Sequence, residues 1–278
     1  MHLERTPEPR QQATRQKGFF MPGSIALRLR IFLPFALGYF LSYLYRAINA
    51  VLAPSLAAEM GVGPAEMGLL TAVYFISFGA FQLPLGILLD RFGPRRVEAA
   101  LLVAAAAGAL VFARAGSLAA LVIGRGLIGF GVSACLMAAF KAFVIWFPRE
   151  QLPRINGFQM AAGGMGALVA TAPVEAALAF TDWRGVFTVL ALLTAGVSAG
   201  IFCIVPERPE RSERPERPEK PDKKDPPAPD AGPRRSTVPI HGMGTVFGSL
   251  VFWRVAPWAT MSQATFRSIQ GLGAGPWL

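Results

Sequence analysis

Gly-Ile-Leu-Leu-Asp-Arg-Phe-Gly-Pro-Arg-Arg-Val, residues 86 to 97, separates an uncharged run from Met67 to Leu89 from a second apolar run that begins near Ala99. A hydrocarbon core of about 30 Å needs about 20 apolar residues in a helix, and both runs approach that length. Arg91, Arg95 and Arg96 therefore fall in a short connection between two membrane spans. The fold follows from this basic hairpin, and no soluble active site is needed to explain it.

The composition agrees. Of 278 residues 53% are hydrophobic and 16% charged, with a mean hydropathy of +0.43. Soluble domains carry about 25% charged residues, so the chain reads as a polytopic membrane protein. The net charge of +10 invites a nucleic-acid reading, but the basic residues sit in the N-terminal tail, in short loops or in one mixed-charge linker. No basic face interleaved with aromatic residues occurs on a stretch that could fold in water, which excludes nucleic acid as a partner. Cys135 and Cys203 lie inside apolar runs and read as buried small hydrophobes. His2 and His241 lie outside the spans. No Ser/His/Asp set, metal-ligand spacing or phosphate-cradling loop appears, so neither an enzyme, a metal site nor a cofactor is expected.

Outward from the hairpin the chain divides into four parts. Residues 1–30 form a polar, basic tail with none of the marks of a signal peptide, and Met21 could be the start. Residues 31–205 hold six spans: Ile31 to Leu56, Met67 to Leu89, Val97 to Gly116, Leu118 to Trp146, Ile155 to Phe180 and Gly185 to Val205. Residues 206–240 are a Pro/charged linker, in which nine Lys/Arg face eight Asp/Glu, expected to be disordered. Residues 241–278 read as an amphipathic lead-in and a partial seventh span, and the ending Gly-Pro-Trp-Leu reads as a truncation. Lys and Arg near span ends stay in the cytoplasm. The tail, the hairpin, the loop with Arg149 and Arg154 and the linker are the basic segments, so both ends of the six-span unit are expected on the cytoplasmic side of a plasma (inner) membrane.

The hairpin resembles the signature loop between spans two and three of the major facilitator superfamily (MFS), through Gly86, Asp90, Arg91, Phe92, Gly93, Arg95 and Arg96. Arg125 with Gly129 and Gly131 in the fourth span is similar to the Arg-x-x-x-Gly-x-Gly pattern of that family. The Gly-rich fifth span, Gly157 to Pro173, and the entry Asp182-Trp183-Arg184 to span six are looser matches, with the usual Gly-Pro pair appearing as Ala172-Pro173. The resemblance implies an all-α membrane fold: a six-helix half-bundle of 3+3 inverted repeats, a cytoplasmic linker and the first part of a second half. It also implies that Gly86, Asp90, Arg91, Gly93, Arg95 and Arg96 act as a gating loop that latches against an eleventh span through a helix-end dipole. Without that span, Asp90 is expected to fall back on neighbouring arginines.

Arg46 is the substrate candidate. An arginine in mid-span costs about 2.5–3.5 kcal/mol on insertion scales, which points to a water-filled cavity or a partner. Tyr39 and Tyr43 lie seven and three residues before it on the same helical face, and Asn49 joins the candidate set. The family resemblance implies an anion-gripping role for such a first-span arginine; the structural alternative is snorkelling or a pair with Glu175. Arg125, Glu175 and Lys141 are candidates for proton coupling or charge pairing, Lys141 with a stem able to reach the interface. Glu175 reads as the one carboxylate well inside a span. The expected function is proton-coupled transport, as a symporter, of a small organic anion by alternating access. A nitrate or nitrite carrier is the rival within the family, countered by the absence of charge in the second span. A non-transporting truncated membrane protein or interaction partner is the rival outside it. The expected partners are the anion, the bilayer, and a second half-transporter or a second copy of the chain.

Overall fold

The computed structural model describes residues 25–206 together with Gly248, Trp253, Arg254, Pro257, Trp258 and Met261. The expected tail up to residue 24, the linker beyond Pro206 and most of the expected seventh span lie outside the described residues. The described residues of the six-span unit are all-helical in their regular structure: α1 (Ile25–Met60), α2 (Pro64–Phe92), α3 (Pro94–Ala113), α4 (Leu118–Gly131), α5 (Cys135–Trp146), α6 (Leu152–Val169), α7 (Ala172–Leu178) and α8 (Trp183–Ile204). They make six stretches long and apolar enough to cross a membrane. α1 begins within the segment expected to be tail, because Ile25 to Arg30 already continue its helix.

The ends of these helices follow local chemistry. Proline stands in the first turn of α2, α3, α6 and α7, where its missing N–H is no loss. Ser117 and Asp182 cap α4 and α8, their side-chain oxygens accepting from Ala120 N at 3.3 Å and Gly185 N at 2.7 Å. The signature hairpin reduces to one residue. Gly93 at φ 79° and ψ 162° ends α2, donates its N–H to Leu89 O at 3.1 Å and hands the chain directly to Pro94. A positive φ next to a proline suits glycine, which has no Cβ to clash.

Two expected spans are broken rather than continuous. The fourth divides at 132–134 into α4 and α5, and the fifth divides near Thr171, immediately before Pro173, into α6 and α7. Proline is tolerated within membrane helices, and Pro34, Pro54 and Pro84 lie inside α1 and α2 without ending them.

Packing shows the internal repeat. α1 lies against α6, α2 against α4, and α3 against α8. Exchanging the first three spans with the last three carries the first pair onto the second and returns the third to itself, the pairing that two inverted three-span repeats produce. Lipid is as apolar as leucine, so close packing rather than hydrophobic burial drives these contacts. Gly108 and Gly124 bring α3 and α4 together: a Cβ on Gly124 would lie 2.9 Å from Gly108 O and 2.9 Å from Phe112 N. Phe112 then stacks on Phe187 of α8 with ring centroids 4.2 Å apart. Spans two and five bury the smallest share of their residues, leaving apolar side chains such as Ile76, Leu83, Met165 and Leu168 on the surface.

At the end away from the hairpin, Glu59 ties α1 to α8. It accepts from Trp183 Nε1 at 2.5 Å and pairs with Arg184, which also donates to Ala115 O at 3.0 Å. Trp183 is buried, so removing its acceptor strands an indole N–H. Glu59→Ala is expected to destabilise the fold by about 1–3 kcal/mol, read as a lowered melting temperature in detergent, with Glu59→Gln recovering part of it. A melting temperature unchanged by Glu59→Ala would remove this clasp from the account. Cys135 is buried, but Cys203 is exposed on α8, contrary to the expectation for both.

Candidate functional site

One face of α1 gathers the proposed substrate residues. Tyr39 and Tyr43 meet edge to face with centroids 5.0 Å apart, and the Arg46 guanidinium lies 4.7 Å from the Tyr43 ring. Two rings of α2 lie beside it, Phe78 at 5.1 Å and Phe75 at 5.8 Å, and Tyr74 of the same helix also faces it. Aromatic faces attract a cation without neutralising it. No carboxylate pairs with Arg46 among the described residues, and its Nε is buried with no hydrogen-bond partner. The alternative pair with Glu175 does not form: Glu175 sits on the surface of α7. A half-buried guanidinium in this setting keeps its charge available for an anion.

Asn49, one turn further along, is buried. Its Nδ2 donates to Thr71 Oγ1 at 3.2 Å, while its Oδ1 has no partner. Gly163 and Gly166 of α6 pack against this same part of α1. A Cβ on Gly163 would lie 2.9 Å from Tyr39 Cδ1 and 3.0 Å from Tyr43 Cδ2, and one on Gly166 would overlap the Phe40 carbonyl. The glycine-rich fifth span therefore sets how closely a helix backs the two tyrosines.

Arg125 is 1% exposed and does not take part in the ion pair that the sequence offered as its structural role. Its Nη1 donates to Tyr45 O at 3.1 Å, and its guanidinium lies 5.1 Å from the Tyr74 ring and 5.9 Å from Phe112. Tyr45 and Tyr74 are themselves tied, by a 2.9 Å bond between Tyr45 Oη and Thr194 Oγ1 and by Tyr74 Oη donating to Ser42 O at 3.3 Å. These contacts join α1, α2, α4 and α8 around one buried cation.

In the hairpin, Asp90 pairs with Lys141 of α5, so it neither relies on neighbouring arginines nor leaves Lys141 to snorkel. Arg95 instead donates from Nε to Phe202 O at 2.8 Å and stacks on that ring at 4.9 Å, and Arg91 lies 5.2 Å from Phe92. Gly86 has open space where a Cβ would stand. Arg91, Arg95 and Arg96 line a cavity of about 240 Å³ together with Trp146 and Val205. Asp90 is 82% exposed, and exposed ion pairs contribute little. A double-mutant cycle with Asp90→Asn and Lys141→Met is expected to give a coupling below about 1 kcal/mol in thermal unfolding. A larger value would make this pair a structural tie.

Sequence reasoning missed Glu98. It stands just after the arginine pair, as the second residue of the expected third span, yet it is 0% exposed inside the bundle, so Glu175 is not the enclosed carboxylate of the unit. Only the missing side chain of Gly38, sixty residues earlier, makes room for it.

Six paired membrane helices with two buried or half-buried arginines define a multi-pass membrane protein built like one half of a transporter. The chain belongs to the Major Facilitator Superfamily, whose family model matches residues 35–276, and this is a family of transporters rather than enzymes. It is 28% identical over 158 residues to the probable sulfoacetate transporter SauU of Cupriavidus necator and, over the same length, 28% identical to the hexuronate transporter of Escherichia coli. Each match covers 57% of this chain, which spans about 37% of the length of these relatives. It is also 30% identical over 129 residues to the nitrate/nitrite transporter NrtP of Picosynechococcus, covering 46% of this chain and 24% of that protein. Its fold matches the inward-facing, unoccupied structure of a bacterial homolog to the human lysosomal transporter Spinster, with a TM-score of 0.60 and 18% identity over 67% of this chain and 45% of that one.

Proposed function

We propose that the chain is the first half of a secondary transporter that carries a small organic anion by alternating access, with Arg46 as the residue that grips the anion. The observation that carries this is the guanidinium itself, ringed by Tyr43, Phe75 and Phe78 and without a carboxylate. Tyr39, Tyr43 and the unpartnered Asn49 Oδ1 supply polar atoms on the same face. Relatives named for sulfoacetate, hexuronate and L-galactonate support an organic anion.

The coupling ion in this reading is the proton, with Arg125 as a linkage residue and Lys141 and Glu175 as further charges. The hairpin from Gly86 to Arg96 acts as the gate in this reading, with Asp90 paired to Lys141 at its edge. The distribution of basic loops supports a cytoplasmic N-terminus in an inner membrane. A closed central cavity needs a second six-span half or a second copy of the chain.

The test is uptake of sulfonated and hydroxylated carboxylate anions by cells expressing the chain alone and together with a separately encoded second half. Saturable anion uptake in one of these arrangements, absent for uncharged analogues, is the expected result. Equal uptake of charged and uncharged analogues, or none in either arrangement, would overturn the reading.

A further inference from the structure

Glu98 is wholly enclosed by three spans. Both of its carboxylate oxygens are buried without a hydrogen-bond partner. On one side stands Gly38 of α1, so close that a Cβ there would lie 2.5 Å from Glu98 Oε1. On another lies Cys135, the first residue of α5, and one turn along α3 is Leu102. α8 reaches α3 alongside through Ser198, whose hydroxyl is committed to Ala99 O at 2.7 Å. Among the described residues, the Cys135 thiol is the titratable group that faces Glu98, and no cation does. Arg95 has turned to Phe202, and neither carboxylate oxygen is taken by an arginine.

The Cys135 thiol is at most a weak donor and no counter-charge stands by, so the place holds an ionised carboxylate poorly and the neutral acid well. On the α1 side this enclosure rests on the close approach at Gly38, which meets Glu98 and Leu102 of α3. Any movement that opens this contact admits water, and hydrated Glu98 can then ionise.

We propose that Glu98 is a proton-binding site of the half-bundle, loaded when α1 closes on α3 and emptied when they part. In loading, hydronium gives its proton to a carboxylate oxygen and leaves as water; unloading is the reverse. The site rests on the proton-coupled reading of the chain and supplies that reading with an enclosed carboxylate, which exposed Glu175 does not.

The experiment is infrared spectroscopy of the full chain in lipid nanodiscs, without added anion, over a pH range from about 5 to about 9, where buried carboxyls titrate. The expected result is a carboxylic-acid C=O band that Glu98→Gln removes and that shrinks as the pH is raised. Glu98→Gln copies the shape of the neutral acid, so it should fold; its melting temperature should then vary less with pH than that of the unaltered chain. If that variant does not fold, Gly38→Ala serves in its place, because its methyl crowds Oε1 and should shift the same band. Three results would each overturn the proposal: no acid band at any pH, a band that never titrates, or a band indifferent to both substitutions. Because no anion is present, a failure of anion binding at Arg46 and a failure at Glu98 are separate results.

Discussion

Arg46→Ala is expected to weaken binding of the transported anion by at least about 30-fold, while leaving the melting temperature of the chain nearly unchanged. Truncating one member of a buried, hydrogen-bonded charge pair costs about 2–5 kcal/mol, and 1.4 kcal/mol is about tenfold in affinity. Nothing comparable is lost from the empty fold: the guanidinium contacts Tyr43, Phe75 and Phe78 through their rings and closes no ion pair among the described residues. Arg46→Lys keeps the charge but not the planar fork, so it should fall between the two. Competition binding by the anion-transporting assembly, set beside thermal unfolding of each variant, separates the outcomes. Retained affinity for every anion tested would take Arg46 out of the site, and a collapsed melting temperature would make it a structural residue.

The second large effect concerns the fold. Gly124→Leu should prevent the chain from accumulating as a monodisperse protein, because a Cβ at that position already meets the backbone of α3 at 2.9 Å. Neither Gly108 O nor Phe112 N is the end of a flexible side chain that could swing aside, so the two helices would have to separate. Overpacking commonly costs about 1–3 kcal/mol and more where backbones must part, against a total stability of about 5–15 kcal/mol. Gly157→Leu is the control, since a Cβ there meets nothing within 4 Å. Size-exclusion profiles of the two variants in mild detergent should differ sharply. Matching profiles would show that α3 and α4 do not need this approach.

The architecture was legible because its cues are local and repeated. Six apolar runs and a basic hairpin mark the number and order of spans within the range of a few neighbours. The face shared by Tyr39, Tyr43 and Arg46 was legible for the same reason, being a matter of spacing along one helix. What escaped depends on residues far apart in the chain. The Asp90–Lys141 pair joins positions separated by 51 residues, and the Arg125 contact with Tyr45 O spans 80. Nothing in the local pattern of Arg95-Arg96-Val97-Glu98 announces that Glu98 turns inward, because the cause is Gly38 on another helix. The breaks in spans four and five escaped because a hydropathy run is blind to a short turn of small, uncharged residues such as Ser133 and Thr171.

The single-residue joint at Gly93 has a mechanical meaning. α2 and α3 meet with no slack, so a tilt or twist of one must be passed to the other or absorbed in two backbone torsions. α3 in turn lies against α4 and α8. Only those two torsions of Gly93 therefore separate the poorly buried second span from the packed third.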